Sequence, residues 1–326
     1  MKVLVTGAAG FIGSRLCRRL LDEGCDVCGL DCLTNYYPRW IKRRNLRPLQ
    51  ADRRFTFIEA DLNDLPLNRT LRPFEAVYHL AAQAGVRASW GRSFASYLHH
   101  NIAATQRLLE AAKERPPRKI VYASSSSVYG LTPDLPMKET SPLRPISPYG
   151  VTKLSAEQLG VLYHRNFGLP VVALRFFTVY GPGQRPDMAF HKFFKAILEG
   201  REIPVFGDGS QTRDFTYVDD IVAALVSAER NGTAGEIYNI GGGHREKLSD
   251  LFPVFREITG RPVKTRRMEQ QKGDAPHTFA AIATARRDLG YRPRTALRDG
   301  LEREWAYVLD LYDKRSRPAT TQGSLS

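Results

Sequence analysis

Residues Lys2–Gly13 read KVLVTGAAGFIG. The first five form a short β-branched and aliphatic run, the composition of a strand buried in a parallel sheet. Gly7, Gly10 and Gly13 follow, and Phe11 to Glu23 then shows helical spacing, with Leu16, Leu20 and Leu21 on one face. Strand, glycine turn and helix in that order make a cradle for a phosphate-bearing ligand. Gly7 permits the tight turn. Gly10 lets a pyrophosphate approach the backbone and the helix N-terminus, where Phe11 and Ile12 also sit. Gly13 allows close helix–strand packing. The spacing is Gly-x-x-Gly-x-x-Gly, so the strand–turn–helix context carries the reading more than the glycines alone.

Outward from this turn the chain alternates. Strands are expected at Val27–Leu30, Phe55–Ile58, Ala76–Leu80, Lys119–Ala123 and Val171–Arg175. Helices are expected at Arg39–Leu49, Ala95–Arg115 and Ser147–Phe167. This predicts an α/β fold, a Rossmann-type doubly wound parallel sheet. Beyond Arg175 the pattern loosens into a loop over Gly181–Arg185, helices at Ala189–Glu199, Asp219–Arg230 and Ser249–Thr259, and short strands near Ile203–Phe206 and Phe215–Tyr217. The expected division is a dinucleotide-binding domain over 1–175, with a returning segment near 214–240. A smaller α/β substrate-binding lid domain takes 176–213 and 241–313. The polar tail 314–326 is expected to be disordered.

The chain has 326 residues, 42% of them hydrophobic, enough for a core in two coupled domains. No apolar run is long enough to span a bilayer, and a strand begins directly after Met1 and Lys2. No signal peptide and no membrane partner are therefore expected, and the expected location is cytoplasmic. The net charge is +14, but the basic residues are spread along the chain without a basic aromatic patch. That pattern suits an anionic small substrate better than nucleic acid. Cys17, Cys25, Cys28 and Cys32 all fall in the first 32 residues. Cys25 and Cys28 have zinc-like spacing, but no second ligand pair follows, so small thiols are expected rather than a metal site or a disulfide framework.

Asp31 ends the second strand, eighteen residues after Gly13 (31 − 13). An acid there takes the adenosine ribose hydroxyls. Its charge repels a 2′-phosphate and favours NAD over NADP, with Arg39, Arg43 and Arg44 nearby weighing the other way. Asp61 and Leu62 follow the third strand, where adenine would lie. Leu80, Ala81 and Ala82 end the fourth strand with room for a cofactor.

Tyr149 and Lys153 lie one helical turn apart in SPYGVTK, downstream of four serines, Ser124 to Ser127. Free tyrosine has a pKa near 10 and needs a neighbouring cation to act as a base at neutral pH. Beside a dinucleotide, Tyr149 is placed to take the proton of a sugar hydroxyl, Lys153 to hold the nicotinamide ribose, and Ser125 to hydrogen-bond the reacting oxygen. Tyr-x-x-x-Lys alone is common on amphipathic surface helices. The glycine turn and the serines decide the reading.

The motifs TGAAGFIG, HLAAQAGVR (79–87), SSSSVYG (124–130), SPYGVTK, LRFFTVYGPGQRPDMA (174–189), RDFTYVDD (213–220) and NIGGG (239–243) resemble the extended short-chain dehydrogenase/reductase family, specifically its nucleotide-sugar 4-epimerases. The resemblance runs from Lys2 to about Asp313. It implies bound NAD and oxidation at C4 of a UDP-hexose, with Tyr149 taking the O4 proton. The keto sugar turns and is reduced from its other face, so C4 inverts with no net redox. The resemblance adds Asn35, Asn101 and Ser124 to the cofactor-binding residues, and Ser126 to Ser125 at the chemical step.

Three details narrow the sugar. Ser127 precedes Val128, where dehydrating or decarboxylating relatives usually carry an acid. Thr178 follows Arg175-Phe176-Phe177, where UDP-galactose 4-epimerases usually carry Asn. TNYY (34–37) and GPGQRPDMA resemble UDP-glucuronate 4-epimerases. A 4-keto glucuronate is a β-keto acid, and it loses CO2 when its C5–carboxylate bond stands perpendicular to the carbonyl plane. Arg185 is expected to grip the carboxylate bidentately away from that geometry, with Thr178, Ser126 and Ser127 as hydroxyl donors. At the UDP end, Arg213 is the expected diphosphate clamp, Phe206 the uracil wall and Asp274 the ribose partner. Relatives often carry Arg where Gln271 stands, so Arg87 or Arg267 is expected to meet phosphate charge. Ala281 replaces a usual Asp and has no functional account.

The reading is therefore conversion of UDP-glucuronate to UDP-galacturonate, with a homodimer expected through the two long helices. Three alternatives stay open. They are a UDP-glucose/UDP-galactose or N-acetylhexosamine 4-epimerase, a decarboxylating UDP-glucuronate enzyme, and a non-catalytic NAD-binding protein.

Overall fold

The computed structural model describes residues 1–269 and 272–312. Gln271 and the expected disordered tail, with Asp313 before it, lie outside the described residues. The strands are β1 (Lys2–Thr6), β2 (Asp26–Asp31), β3 (Phe55–Glu59), β4 (Ala76–His79), β5 (Lys119–Ser125), β6 (Val171–Phe176), β7 (Val179–Tyr180), β8 (Ile203–Phe206), β9 (Thr212–Arg213), β10 (Thr216–Tyr217), β11 (Ile237–Ile240), β12 (Glu246–Lys247) and β13 (Thr265–Met268). The helices are α1 (Phe11–Asp22), α2 (Arg39–Gln50), α3 (Leu67–Thr70), α4 (Phe94–Tyr97), α5 (Ala104–Ala112), α6 (Pro148–Phe167), α7 (Ala189–Leu198), α8 (Val218–Asn231), α9 (Leu251–Thr259), α10 (Ala283–Leu289) and α11 (Leu297–Tyr312).

Seven parallel strands form one sheet in the order β11-β6-β5-β4-β1-β2-β3. Alternate residues of β1 face opposite sides, as strand geometry dictates. Val3 and Val5 join the cluster containing Leu16, Leu20 and Leu225, whereas Leu4 joins the one containing Leu108, Leu109 and Ala156. Helices α1 and α8 therefore cover one face, and α5 and α6 the other. A sheet buried on both faces explains why KVLVT is apolar without alternation.

Strand order reverses at β1, which pairs with β2 on one side and β4 on the other. A crevice opens there beyond the carboxyl ends of the strands. The loops on its two sides touch: a Cβ on Gly7 would lie 2.9 Å from the Ala81 amide nitrogen.

The single helix expected over Ala95–Arg115 is a correction. The structure has α4, a π-helical turn over Leu98–Ala103, and then α5, which ends at Ala112. The wider turn carries Asn101, which is buried and bonded to Gln83 and Thr152. Elements without a sequence expectation include β11, α10 and α11. In the second half, β8 pairs with β13 and β9 with β12, and α11 packs against α7 and α9.

Candidate active site

The glycine turn is built for close approach. Gly7 has φ +72°, and its amide donates to the Leu30 carbonyl at 2.7 Å, tying the turn to the end of β2. A Cβ on Gly13 would sit 2.1 Å from the Gly7 carbonyl oxygen, so a side chain there would push α1 off β1. Asp31 is buried. It accepts from the Ala9 amide at 3.1 Å and the Leu33 amide at 2.8 Å, with the Lys42 ammonium 4.0 Å away. Each carboxylate oxygen keeps a lone pair for a ribose hydroxyl. Glycine cradle and acid together fit a dinucleotide.

One cleft runs from this turn to Tyr149. Gly7, Gly10, Phe11, Ile12 and Gly13 line one end, and Asp31, Asp61 and Leu62 the wall beyond β2 and β3. Leu80, Ala81 and Ala82 form the floor at β4, and Ser124, Tyr149, Lys153 and Arg185 the other end. Asn35 is exposed and does not line the cleft, while its neighbours Thr34, Tyr36 and Tyr37 do. Asn101 also stays out of it. Its side chain accepts from the Gln83 amide at 2.7 Å and donates to the Gln83 carbonyl at 3.0 Å and to Thr152 Oγ1 at 2.9 Å, so it fixes the cleft wall from behind. The Ser124 hydroxyl lines the cleft and donates its proton to Glu157 at 2.6 Å, keeping only acceptor capacity.

Lys42 was missed from sequence. One lysine among the four basic residues of RWIKRR carries no local mark of burial. Burial holds its ammonium below the usual lysine range against the pull of Asp31. Beyond the ends of β2 and β3, Cys32, Asp61 and His100 bring their donor atoms within 4.8 Å of one another. Asp61 already accepts from the Asn63 amide at 2.8 Å and pairs with His99 at 3.1 Å, and burial pushes the Cys32 thiol up. A protonated thiol is a poor metal ligand.

The chemical end depends on how α6 begins. Ser147 caps the helix, accepting from the Gly150 amide at 3.1 Å, and Pro148 occupies the first turn. A Cβ on Gly150 would lie 2.6 Å from the Ser127 carbonyl oxygen, so glycine lets the helix start press against the end of β5. Tyr149 thereby reaches Ser125. Burial raises the phenol pKa, and the Ser125 hydrogen bond and the Arg185 charge work against that rise. Lys153 does not bond Tyr149. Its ammonium donates to the Ala123 carbonyl and lies over the Tyr122 ring, 4.5 Å from the centroid. Burial brings its pKa down to about 7, with Glu157 opposing.

The residues read as the UDP end come together from distant parts of the chain. Arg87 donates to Asp274 Oδ2 from Nε at 3.1 Å and from Nη2 at 2.7 Å, and its guanidinium stacks on Phe206 at 4.0 Å. Arg213 joins them electrostatically. Burial lowers its pKa, Asp274 raises it and Arg87 lowers it. Its Nη1 donates to the Thr212 and Pro276 carbonyls, both at 2.9 Å. Thr178, Ser126 and Ser127 are half-buried and lie outside the cleft lining. Arg185 lines the cleft, but Asp187 already holds its fork, Nε to Oδ1 and Nη2 to Oδ2, each at 2.9 Å.

The model of the NAD dependent epimerase/dehydratase family matches residues 3–241. An uncharacterized UDP-glucose epimerase of Bacillus subtilis is 46% identical over 314 residues, covering 96% of this chain and 99% of its own. A UDP-glucuronate 4-epimerase of Thermodesulfobacterium geofontis is 39% identical, covering 92% of this chain and 94% of its own. Among solved structures, the UDP-glucuronic acid 4-epimerase of Bacillus cereus in complex with UDP-glucuronic acid and NAD is 44% identical. It superposes with a TM-score of 0.93 over 96% of this chain and 100% of its own. A reversed strand order at a glycine cradle, a tyrosine on a serine and a matching family model over most of the chain lead to one statement: the chain belongs to the NAD dependent epimerase/dehydratase family.

Proposed function

We propose that the protein inverts C4 of UDP-glucuronate to give UDP-galacturonate. The observation that carries this is the cleft that joins a dinucleotide cradle to Tyr149 and, beside it, Arg185. Bound NAD supplies a reversible hydride acceptor at C4. Tyr149 takes the O4 proton, with Ser125 on the same oxygen, and returns it after the keto sugar has turned. Lys153 holds the nicotinamide ribose. Gly7, Gly10, Gly13, Asp31 and Asp61 hold the rest of the cofactor. Arg87, Arg213, Phe206 and Asp274 take the UDP moiety, opening their mutual contacts to do so. Arg185 meets the C6 carboxylate.

A neutral C6 is the second reading. The Bacillus subtilis relative is a UDP-glucose epimerase by name, and the Arg185 fork is partly taken by Asp187. NMR of UDP-glucuronate with the protein and no added cofactor tests both. The expected result is UDP-galacturonate without CO2, and turnover at least about a hundredfold lower in Tyr149→Phe with NAD still bound. Conversion of UDP-glucose alone would move the substrate to the neutral sugars.

The division proposed is a cofactor domain over 1–175 with the returning 214–240 segment, and a substrate domain over the rest. No described helix is long and apolar enough to cross a membrane. The four cysteines are free thiols, which suits the proposed cytoplasmic location. Neither nucleic acid nor membrane is proposed as a partner. A homodimer is proposed on apolar side chains left in solvent. Val151, Leu162 and Phe167 of α6 are 44%, 50% and 56% exposed, and Leu98, on the neighbouring π turn, is 43% exposed.

A further inference from the structure

Two residues in the motifs that narrowed the sugar have no task so far, Tyr36 in TNYY and Asp187 in GPGQRPDMA. The structure joins both to Arg185. Asp187 grips the Nε–Nη2 edge of the guanidinium with both carboxylate oxygens, each bond 2.9 Å long. The Tyr36 hydroxyl donates to Asp187 Oδ2 at 3.2 Å, and the guanidinium lies 6.0 Å from the Tyr36 ring centroid. Tyr36 is itself boxed in. Gly85 has φ +103°, and a Cβ there would stand 2.1 Å from the Tyr36 hydroxyl oxygen. That backbone is in turn held by Tyr97, whose hydroxyl donates to the Ala84 and Gly85 carbonyls at 3.0 and 2.7 Å and whose ring meets Tyr149 edge-on at 6.2 Å.

A guanidinium offers five N–H donors. Asp187 takes two of them. The rest, on Nη1 and the outer side of Nη2, have no protein acceptor among the described residues. A free arginine side chain holds rotamer entropy that carboxylate binding would have to remove. Asp187 removes that freedom beforehand. It also closes the Nε edge to any other carboxylate, which leaves one docking geometry, and it balances the charge, so the wall does not collect anions indiscriminately.

We propose that Asp187, held by the Tyr36 hydroxyl, is a positioning residue for substrate selection: it locks Arg185 side-on so that the remaining Nη edge receives the sugar's C6 carboxylate beside Tyr149. The inference rests on the reading of the substrate as a uronate. It makes selection a matter of a fixed edge rather than of positive charge, the general advantage of a preorganised site.

Isothermal titration in a Tyr149→Phe background, where no turnover intervenes, tests it through the ratio of the UDP-glucose Kd to the UDP-glucuronate Kd. Arg185→Ala is expected to lower this ratio about tenfold and Asp187→Ala by a similar factor, with Tyr36→Phe lowering it about threefold. Asp187→Ala on top of Arg185→Ala is expected to lower the ratio no further, because Asp187 acts through Arg185. NAD released on denaturation should be equal in all variants. Where Asp187→Ala does not fold, Tyr36→Phe, which removes one oxygen, carries the test. An unchanged ratio in Asp187→Ala, or additive losses, would overturn the proposal. A raised ratio would overturn it too and make Asp187 a competitor for the arginine. If Arg185→Ala itself leaves the ratio unchanged, the uronate reading fails, and the proposal fails with it.

Discussion

Lys153 shows what the fold adds to a residue type. As a lysine in a Tyr-x-x-x-Lys quartet it promises an ammonium next to a phenol. The structure puts that ammonium on a backbone carbonyl and an aromatic face, and burial brings its pKa down to about 7. The unfolded chain holds this proton up to about pH 10.4. Between pH 7 and 10 the unfolded state therefore binds more protons than the native one, and this group's contribution to stability rises with pH. Below pH 7 both states are charged, and the cost of the buried cation is fully present. Lys153→Met should accordingly raise the melting temperature at pH 6, by about 4 °C or more, and the gain should shrink towards pH 10. Turnover should be lost at every pH. A gain independent of pH, followed by calorimetry, would mean that packing rather than charge burial sets the difference.

At the scale of the element, α6 is the part that makes a site from a sheet edge. Its buried face carries Thr152, Lys153, Ala156, Glu157, Gly160 and Tyr163, a spacing that follows one side of a helix. Two of these, Lys153 and Glu157, are acid–base groups that carry charge at neutral pH. Glu157 is matched by Arg175 from β6, Nε to Oε2 at 3.0 Å and Nη2 to Oε1 at 2.7 Å, with Ser124 on the same carboxylate. The pair bolts the helix to the sheet below Lys153. Glu157→Ala would strand a buried guanidinium and should cost about 3–5 kcal/mol in urea unfolding. Replacing both partners, Glu157→Leu with Arg175→Met, should recover most of that loss. A double variant no more stable than Glu157→Ala would show that cavity formation, not the stranded charge, dominates.

For the whole molecule, the same helix turns an apolar side outward. Leu162 and Phe167 are two of the eight large hydrophobic side chains left exposed among the described residues, and Val151 of the same helix is a third. Phe167→Asp together with Leu162→Asp should shift the mass measured by light scattering from a dimer to a monomer and leave the cofactor content unchanged. The wild-type protein running as a monomer would remove the dimer reading. A wild-type dimer that survives both substitutions would place its interface elsewhere.

The sheet, the glycine turn and the serine–tyrosine–lysine order were legible in the sequence because each is a local pattern. Apolar runs, glycine spacing and a one-turn separation are written along adjacent residues. The break in the helix after Tyr97 was not legible, since the extra residue of a π turn leaves no strong mark on periodicity. The cluster read as the UDP end was formed only by tertiary structure. Arg87, Phe206, Arg213 and Asp274 lie up to 187 residues apart in the chain and meet through pairings between segments. Which polar groups are free was decided there as well. Asn101 and Ser124 have side chains suited to a cofactor, but burial obliges each to satisfy a protein partner first. Arg185 has the charge for a carboxylate, and the fold gives it Asp187 and a single open edge.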